Sequence, residues 1–488
     1  MARASLRRSD GGGITDGVIW KQLLVFFFPI LLGTFFQQLY NTADAVIVGR
    51  FVGKEALAAV GGATGTLLNV VVNLFVGISS GTTVLVAQRV GAHAPEGVHR
   101  AVHTSAALSA VGGALLMALG LLLSRPALAA MGTPADVMEY SVLYLRVYFL
   151  GVIPSFFYNV GSGVLRAVGD TRRPLYFLVA ACLLNIVLDV VFVVGLGLGV
   201  LGVALGTVLS QVLSAVLAWL CLTRTLGPIR LEPARIRFHR VTLRNVLMVG
   251  LPAGLQSNMY TLSNILIQAG INSFGTDTVA AWTAFSKLDG FFWMISGAYG
   301  IAITTFAGQN FGAGRIDRVR KSVRVCTGME CGTALFMSLL MCLTAPWLLR
   351  IFTTDAAVID IGLVMVRYMM PFYVTFVLIE VLSGAIRGCG DALMPMILTG
   401  TGVCLLRVAA VLGLLPLVHD LRVILVSYPA SWALTSVLFL LYYRSGRWLH
   451  RPAAVARQAA QREQSAGDLP SATAAAEAPP SAGEESAP

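Results

Sequence analysis

Apolar residues follow one another in long runs along this chain, separated by short breaks rich in charged residues, glycine or proline. Each run holds about 20 residues or more, enough for an α-helix to cross a hydrocarbon core of about 30 Å. The pattern predicts an all-α polytopic membrane protein with twelve transmembrane helices. The runs cover residues 22–48, 57–86, 101–123, 138–162, 174–196, 200–223, 246–272, 279–306, 325–348, 361–384, 394–415 and 423–443.

The composition of the chain mainly excludes other classes of protein. Of the 488 residues 56% are hydrophobic and only 12% are charged, with a mean hydropathy of +0.77, whereas soluble domains carry about 25% charged residues. These values exclude a soluble enzyme, a secreted disulfide-rich domain and a disordered regulator. The seven cysteines form no CxxC pair and lie in or beside the apolar runs, as reduced packing residues do.

The net charge of +11 orients the chain. The basic residues lie at the ends of the runs and form no cluster with aromatic residues, so we expect no nucleic-acid partner. With a cytoplasmic N-terminus, 26 of the 35 Lys and Arg residues fall on the inner side, five on the outer side and four within the runs. Because basic residues collect in cytoplasmic loops, we expect both termini inside and a location in the cytoplasmic (inner) membrane. Residues 1–19 are polar and lead straight into the first apolar run without a small-residue cleavage site, so that run is predicted to be an uncleaved anchor.

The chain repeats itself. Residues 163–174 read GVLRAVGDTRRP and residues 384–395 read GAIRGCGDALMP, so their Gly, Arg, Gly, Asp and Pro positions coincide at an offset of 221. The same offset relates Gln88 to Gln309 and Gly91 to Gly312. An even number of runs separates the halves, so they are predicted to be parallel repeats related by an axis along the membrane normal, enclosing a cleft that serves as the substrate path.

The two repeats and the polar segments around them divide the chain into five predicted regions. They are a polar N-terminal segment (1–19), an N-lobe with the cation site (20–223), a basic cytoplasmic linker (224–245), a C-lobe (246–445) and a disordered cytoplasmic tail (446–488).

Motifs for nucleotide or enzyme chemistry are missing from the sequence. No GxxxxGK[ST] loop is present to cradle phosphates, so we expect no nucleotide and no other cofactor. A transporter of this kind would use an ion gradient or facilitate diffusion. No DDxxD-like cluster indicates a membrane-embedded transferase or hydrolase, so the chain is not expected to be an enzyme. The expected partners are a small organic substrate and the lipid bilayer, with the protein itself a monomer.

Four residues of the first half are predicted to meet at one depth. Asp44, Asp189 and Thr207 each fall about 8–12 Å below the outer surface, at a rise of 1.5 Å per residue. Asn185 lies one helical turn before Asp189 and points the same way. Two carboxylates, an amide and a hydroxyl are hard oxygen ligands, suited to a proton or, if a metal couples transport, to Na⁺. The alternative is two independent carboxylates, each satisfied by neighbouring helices.

The second half offers a different candidate. Lys287 and Asp289 are about 200° apart on a helix, so they cannot pair, and Trp282 and Trp293 lie nearby in an aromatic stretch. These four residues suit a substrate that stacks on aromatic rings. The alternative is a packed aromatic core around a structural buried charge.

Two arginine–aspartate pairs end the repeated motif. Arg166 with Asp170, and Arg387 with Asp391, are four residues apart at inner helix ends. We interpret them as helix-end or gate contacts.

Several of these segments together resemble one family, the multidrug and toxic compound extrusion (MATE) transporters of bacteria. The resemblance spans about residues 18–445 and includes the LRAVGD stretch. It is carried by FFFPILLGTFFQQLYNTADAVIVGRFVGKEALAAVGG (26–62), LNIVLDVVFVVGLGLGVLGVALGTVLSQ (184–211) and TTFAGQNFGAG (304–314).

The resemblance implies two six-helix lobes around a V-shaped cleft, and export of cationic or amphipathic compounds in exchange for H⁺ or Na⁺. By motif match, the family's N-lobe cation site falls on Asp44, Asn185, Asp189 and Thr207. A second, C-lobe acidic site of another branch has no clear counterpart. The nearest rival is a flippase for a lipid-linked precursor, which would need several cationic residues in the cavity. The sequence alone does not identify the substrate or choose between H⁺ and Na⁺.

Overall fold

The computed structural model describes residues 14–450. Most of the predicted N-terminal segment (1–13) and of the predicted tail (451–488) lies outside the described residues. Within the described range the secondary structure is helical. The first half contains α1 (Ile19–Phe51), α2 (Lys54–Gly61), α3 (Ala63–Gly91), α4 (Pro95–Ala130), α5 (Ala135–Leu150), α6 (Val152–Ala167), α7 (Arg172–Asp189) and α8 (Gly199–Arg224).

The second half follows the same plan. A short 3₁₀ turn lies in the linker (Pro233–Arg235), and another joins α12 to α13 (Met370–Thr375). π-helical turns extend α7 (Val190–Gly195) and flank α15 (Gly400–Leu405 and Ala410–Leu414). The helices are α9 (Arg240–Asn272), α10 (Thr276–Gly312), α11 (Ile316–Arg350), α12 (Ala356–Met369), α13 (Val377–Gly388), α14 (Leu393–Thr399), α15 (Leu406–Ala409) and α16 (Leu421–Arg444).

Each predicted apolar run is helical, and the chain is a multi-pass membrane protein. Ten helical segments of the described chain are long and apolar enough to cross a membrane, and α5 with α6, bent by 50°, adds an eleventh. The remaining predicted run, residues 246–272, lies in α9, a 33-residue helix. α9 is less apolar than the other spans because it carries polar residues such as Gln256 and Asn258. These side chains form hydrogen bonds with other helices instead of facing lipid.

The hydrophobic core divides into two large clusters, but the division does not follow the halves of the sequence. The cluster of the second half includes the beginning of α1, where Phe26 meets Phe306 edge-on and Phe27 stacks on Tyr299 at 4.3 Å. The C-terminal end of α1, with Ile47 and Val48, belongs to the first-half cluster. α1 therefore contributes to both lobes.

Glycines set the distance between α3 and α9. A Cβ at Gly77 would overlap the backbone of Gly254, and one at Gly81 would overlap the backbone of α9 at Val246. Small residues four apart let membrane helices approach closely. Asn73 also donates to Asn258 across this contact, at 3.1 Å. The small residues hold the two lobes together along one side.

Two reciprocal hydrogen bonds join the lobes at the end of the bundle that holds most basic loops, termed the inner end. Gln88 donates to the carbonyl oxygen of Gly388 at 2.9 Å, and Gln309 donates to that of Ala167 at 2.6 Å. Both members of these pairs are related by the repeat offset of 221. We call these two bonds the inner latch. Gly91 and Gly312 tighten it, since a Cβ on either would overlap the backbone carbonyl of the glutamine opposite.

The opposite end of the bundle is termed the outer end. There α1 exposes Gln37, Gln38, Asn41 and Thr42, which share one face of the helix. Polar side chains in a membrane helix face protein or water because facing lipid costs free energy. This stripe therefore faces water or protein rather than lipid, and the inner latch joins the lobes at the inner end.

Candidate functional site

The four predicted cation-site residues come together in the N-lobe. Asn185 and Asp189 occupy the last turns of α7, directly before its π-helical extension. The exposed fractions of the side chains are 5% for Asp44, 1% for Asn185, 0% for Asp189 and 4% for Thr207. Asp189 and Thr207 are close enough to Asp44 to influence its carboxyl group electrostatically. The depth argument thus selected residues that meet in space.

A glycine makes room for this cluster. Gly206 on α8 faces α7, and a Cβ there would overlap a carboxylate oxygen of Asp189. On the other side, Tyr144 of α5 is close to both Asp44 and Thr207. Sequence reasoning missed both residues, although Gly206 directly precedes Thr207. Only the rotation of α5 and α8 about their axes reveals which side chains face the cluster.

The cluster is short of protein hydrogen-bond partners. Within residues 14–450, one oxygen of Asp44, both oxygens of Asp189, both side-chain polar atoms of Asn185 and the hydroxyl of Thr207 are buried without one. Buried polar atoms are nearly always paired, and leaving one unpaired costs about 1–3 kcal/mol. Six such atoms from three helices converge on one point. The donor set is oxygen-rich and contains two carboxylates, which fits a proton or Na⁺ as a transported ion.

A cavity of about 530 Å³ adjoins the cluster inside the N-lobe. It reaches from the outer part of α1 to the start of α7, and Asp44, Asn185 and Thr207 contribute to its wall. Tyrosines give the wall an aromatic character, and one face of α6 supplies a polar stripe. The tyrosines are Tyr40, Tyr144, Tyr148 and Tyr158, and the stripe consists of Ser155, Tyr158, Asn159, Ser162 and Arg166.

The two arginine–aspartate pairs are not ion pairs. Gly169 has a φ of 98° and ends α6 before Asp170, so the spacing of four residues does not correspond to one helical turn. Asp170 instead accepts from the backbone N–H groups at the start of α7 and binds Arg173 at 3.0 Å. Asp170 therefore lies at the start of α7, at a helix end. Arg166 points to the cavity instead.

The second motif behaves in the same way. Gly390, with a φ of 101°, ends the helix before Asp391. Asp391 accepts from the N–H of Met394 and from the hydroxyl of Tyr442, at 2.6 Å for the latter. Arg387 is attracted to Glu380 on the same helix.

The aromatic candidate of the C-lobe forms a packed cluster. Asp289 accepts from the indole of Trp293 at 2.6 Å and from the hydroxyl of Tyr373, so its partners are aromatic side chains. Lys287 is exposed on the other side of α10, as its spacing predicted. Trp282 packs against Phe285 and Tyr428. None of the four predicted residues lines the N-lobe cavity, and their part in substrate binding stays a prediction.

The C-lobe counterparts of Asn185 and Asp189 are Leu406 and Ala410, and beside them lies an arginine that sequence reasoning did not single out. Arg407 is 2% exposed. Its guanidinium lies 3.9 Å over the ring of Tyr428 and 5.5 Å from that of Trp432, and its Nε donates to Ser431 at 3.0 Å. Tyr428 is the repeat counterpart of Thr207. The C-lobe thus places a cation of its own among aromatic rings.

Comparison with known proteins agrees with this architecture. The sequence profile of the family described as MatE matches the chain twice, over residues 29–191 and 252–411. "Probable multidrug resistance protein YpnP" of Bacillus subtilis (strain 168) is 28% identical over 435 residues, covering 89% of this chain and 97% of that protein. "Probable multidrug resistance protein YoeA" of the same organism is 25% identical over 434 residues, covering 87% and 94%.

A solved structure shares the fold. Its description is "Outward-facing conformation of a multidrug resistance MATE family transporter of the MOP superfamily". It superimposes with a TM-score of 0.82 at 25% identity, covering 91% of this chain and 98% of that one.

Proposed function

Because the chain belongs to the MatE family of multidrug and toxic compound extrusion transporters, we propose that it is a cation-coupled antiporter for organic compounds. It exports cationic or amphipathic compounds across the cytoplasmic membrane in exchange for H⁺ or Na⁺. The observation that carries the proposal is the convergence of six unpartnered polar atoms on Asp44, Asn185, Asp189 and Thr207, beside the cavity.

The acid pair supplies the coupling step. Two neighbouring buried carboxylates cannot readily hold two negative charges without a cation between them, because burial and mutual repulsion both oppose it. Asp44 and Asp189 therefore take up a proton or Na⁺ from the outside, with Asn185 and Thr207 as neutral ligands. Asp44 also forms part of the cavity wall, so an ion bound there competes with a cationic group of the substrate. Exchange follows if ion and substrate favour opposite arrangements of the lobes.

The return step requires the inner latch to break. The bonds of Gln88 and Gln309 join the lobes where the substrate must enter from the cytoplasm. Rocking of the lobes about the α3–α9 contact would open this end and close the outer one. A flippase is less well supported, because Arg166 is the single basic residue of the cavity wall and a pyrophosphate would need several.

The test is substrate efflux from proteoliposomes under an imposed pH gradient and, separately, an imposed Na⁺ gradient. We expect one of them to drive efflux of a fluorescent organic cation, and Asp44→Asn to remove that drive. Asp136→Asn, which removes an exposed carboxylate at the start of α5, is the matched control. Efflux that is equal with and without both gradients contradicts the proposal.

A further inference from the structure

Arg166 is the one basic side chain in the wall of the N-lobe cavity, and Asp44 is the one acidic side chain. Arg166 ends the polar stripe of α6, at the inner end of the cavity. Asp44 lies toward the outer end. The separation is roughly 20 Å, since at 1.5 Å per residue α1 climbs about that far between Ile30, near the inner end, and Asp44. The cavity is therefore electrically bipolar along its length.

No carboxylate of residues 14–450 compensates the charge of Arg166. Its Nε is buried without a hydrogen-bond partner, and the titratable group that influences it is the phenol of Tyr158. Asp170, the acid nearest in sequence, is engaged by Arg173 and by the backbone of α7. The side chain as a whole is half-buried, and a polar N–H shielded from water without an acceptor costs about 1–3 kcal/mol. The fold does not itself supply what would offset that cost.

The other lobe shows the compensated version of the same position. Arg387 is the repeat counterpart of Arg166. Its Nε also lacks a hydrogen-bond partner, but the carboxyl group of Glu380 on the same helix attracts its charge. The repeat counterpart of Glu380 is Asn159, a neutral residue whose amide donates to the carbonyl of Ser155 at 2.9 Å. The acid that balances the arginine in the C-lobe is therefore an amide in the N-lobe, where the cavity is.

From this difference, and resting on the function proposed above, we propose that Arg166 binds an anionic group of the exported compound. A guanidinium presents a rigid fork of donors that matches a carboxylate or phosphate with two parallel hydrogen bonds. The exported compound is then a zwitterion, with its oxyanion at Arg166 and its cationic or aromatic part toward the tyrosines and Asp44. A cavity of about 530 Å³ is in the range that holds drug-sized molecules.

The experiment compares two dyes that differ in one charge, a rhodamine with a free carboxylate and its methyl ester. Binding to protein in nanodiscs is measured by fluorescence anisotropy, and gradient-driven efflux is measured in proteoliposomes. We expect the wild type to prefer the carboxylate dye. Arg166→Gln should weaken its binding about tenfold, the loss of one charge-assisted hydrogen bond, and change the ester's binding less than twofold. Arg166→Lys should lie between the two.

A second variant keeps Arg166 but gives it an acidic partner within the protein, so that it is no longer free to bind an anionic group of the dye. Asn159→Glu reproduces the C-lobe pair, so it should weaken binding of the carboxylate dye as Arg166→Gln does, while Asn159→Gln should not. Thermal unfolding of each variant checks that the protein is folded.

The outcomes separate this inference from the proposed function. Equal binding of both dyes by the wild type, or an equal loss for both dyes in Arg166→Gln, contradicts anion recognition. Gradient-driven efflux in those same vesicles would still support the antiporter. No gradient-driven efflux of either dye, combined with a charge-selective Arg166 effect on binding, would instead contradict the proposed function alone.

Discussion

The N-lobe and the C-lobe are repeats of one another, yet they treat buried charge in opposite ways. In the N-lobe, Asp44, Asp189 and Arg166 all lie inside the membrane region without a protein partner of opposite charge. In the C-lobe, Arg407 is held by two aromatic rings and Arg387 faces Glu380. The C-lobe places these two arginines beside aromatic rings or an acid, whereas the N-lobe leaves Arg166 and the acid pair for mobile ions and substrates. The duplicated fold therefore combines two lobes of different chemistry.

The strongest test of this difference is the acid pair. Asp44→Asn and Asp189→Asn each remove a costly buried charge, so folding and membrane insertion should stay intact. Gradient-driven export should fall by at least about tenfold, because no cation is bound in exchange. The measurement is export at matched expression, with Asp136→Asn as control. Wild-type export by both variants would show that these residues are structural.

The inner latch should reveal what the lobes still share. Gln88→Ala and Gln309→Ala each remove one hydrogen bond worth about 1 kcal/mol, which corresponds to a shift of roughly fivefold toward the inward-open state. The two shifts should be equal because the bonds are symmetric. The opening of the inner end is measured as the distance between spin labels at positions 172 and 321 by double electron–electron resonance.

The matched control for the latch is Gln268→Ala, since Gln268 donates within its own helix, to Asn272. Clearly unequal shifts for the two latch variants would mean that one lobe dominates closure. No shift in either would mean that the glycine contacts alone hold the inner end.

A smaller effect is expected at Thr207. Thr207→Ala removes one neutral ligand that water can replace, so export should slow by roughly two- to fivefold, the range of one neutral hydrogen bond. The apparent affinity for the coupling ion should fall by a similar factor. Concentration series of H⁺ and Na⁺ on the outside of proteoliposomes measure it. A complete loss of export would show that Thr207 is as essential as the carboxylates.

The smallest effect is expected at Glu330, which tests the C-lobe directly. Glu330 is 1% exposed, accepts from Ser296 at 2.5 Å and has one oxygen without a partner. We expect Glu330→Gln to keep export within about twofold of the wild type, because this carboxyl group lies outside the N-lobe cavity. Loss of gradient-driven export would mean that the C-lobe also takes part in coupling.

Depth in the membrane could be predicted from the sequence, but direction around each helix could not. The fixed rise per residue and the fixed bilayer thickness placed Asp44, Asp189 and Thr207 at one level, and they do meet. The same arithmetic says nothing about helix rotation, so the position of Arg166 in the cavity was missed. The spacing of Arg166 and Asp170 was misleading because Gly169 interrupts the helix between them.

The inner latch also bears on how such a chain arose. Residue 88 contacts residue 388 and residue 309 contacts residue 167, so the two contacts are related to each other by the axis that relates the two repeats. This is the arrangement of an isologous interface, the kind that two identical subunits build around a two-fold axis. A half-length ancestor could have made both bonds with a single glutamine. In such a homodimer every substitution occurs twice, so an ion site cannot be gained in one half without the other. Fusion into one chain removes that constraint.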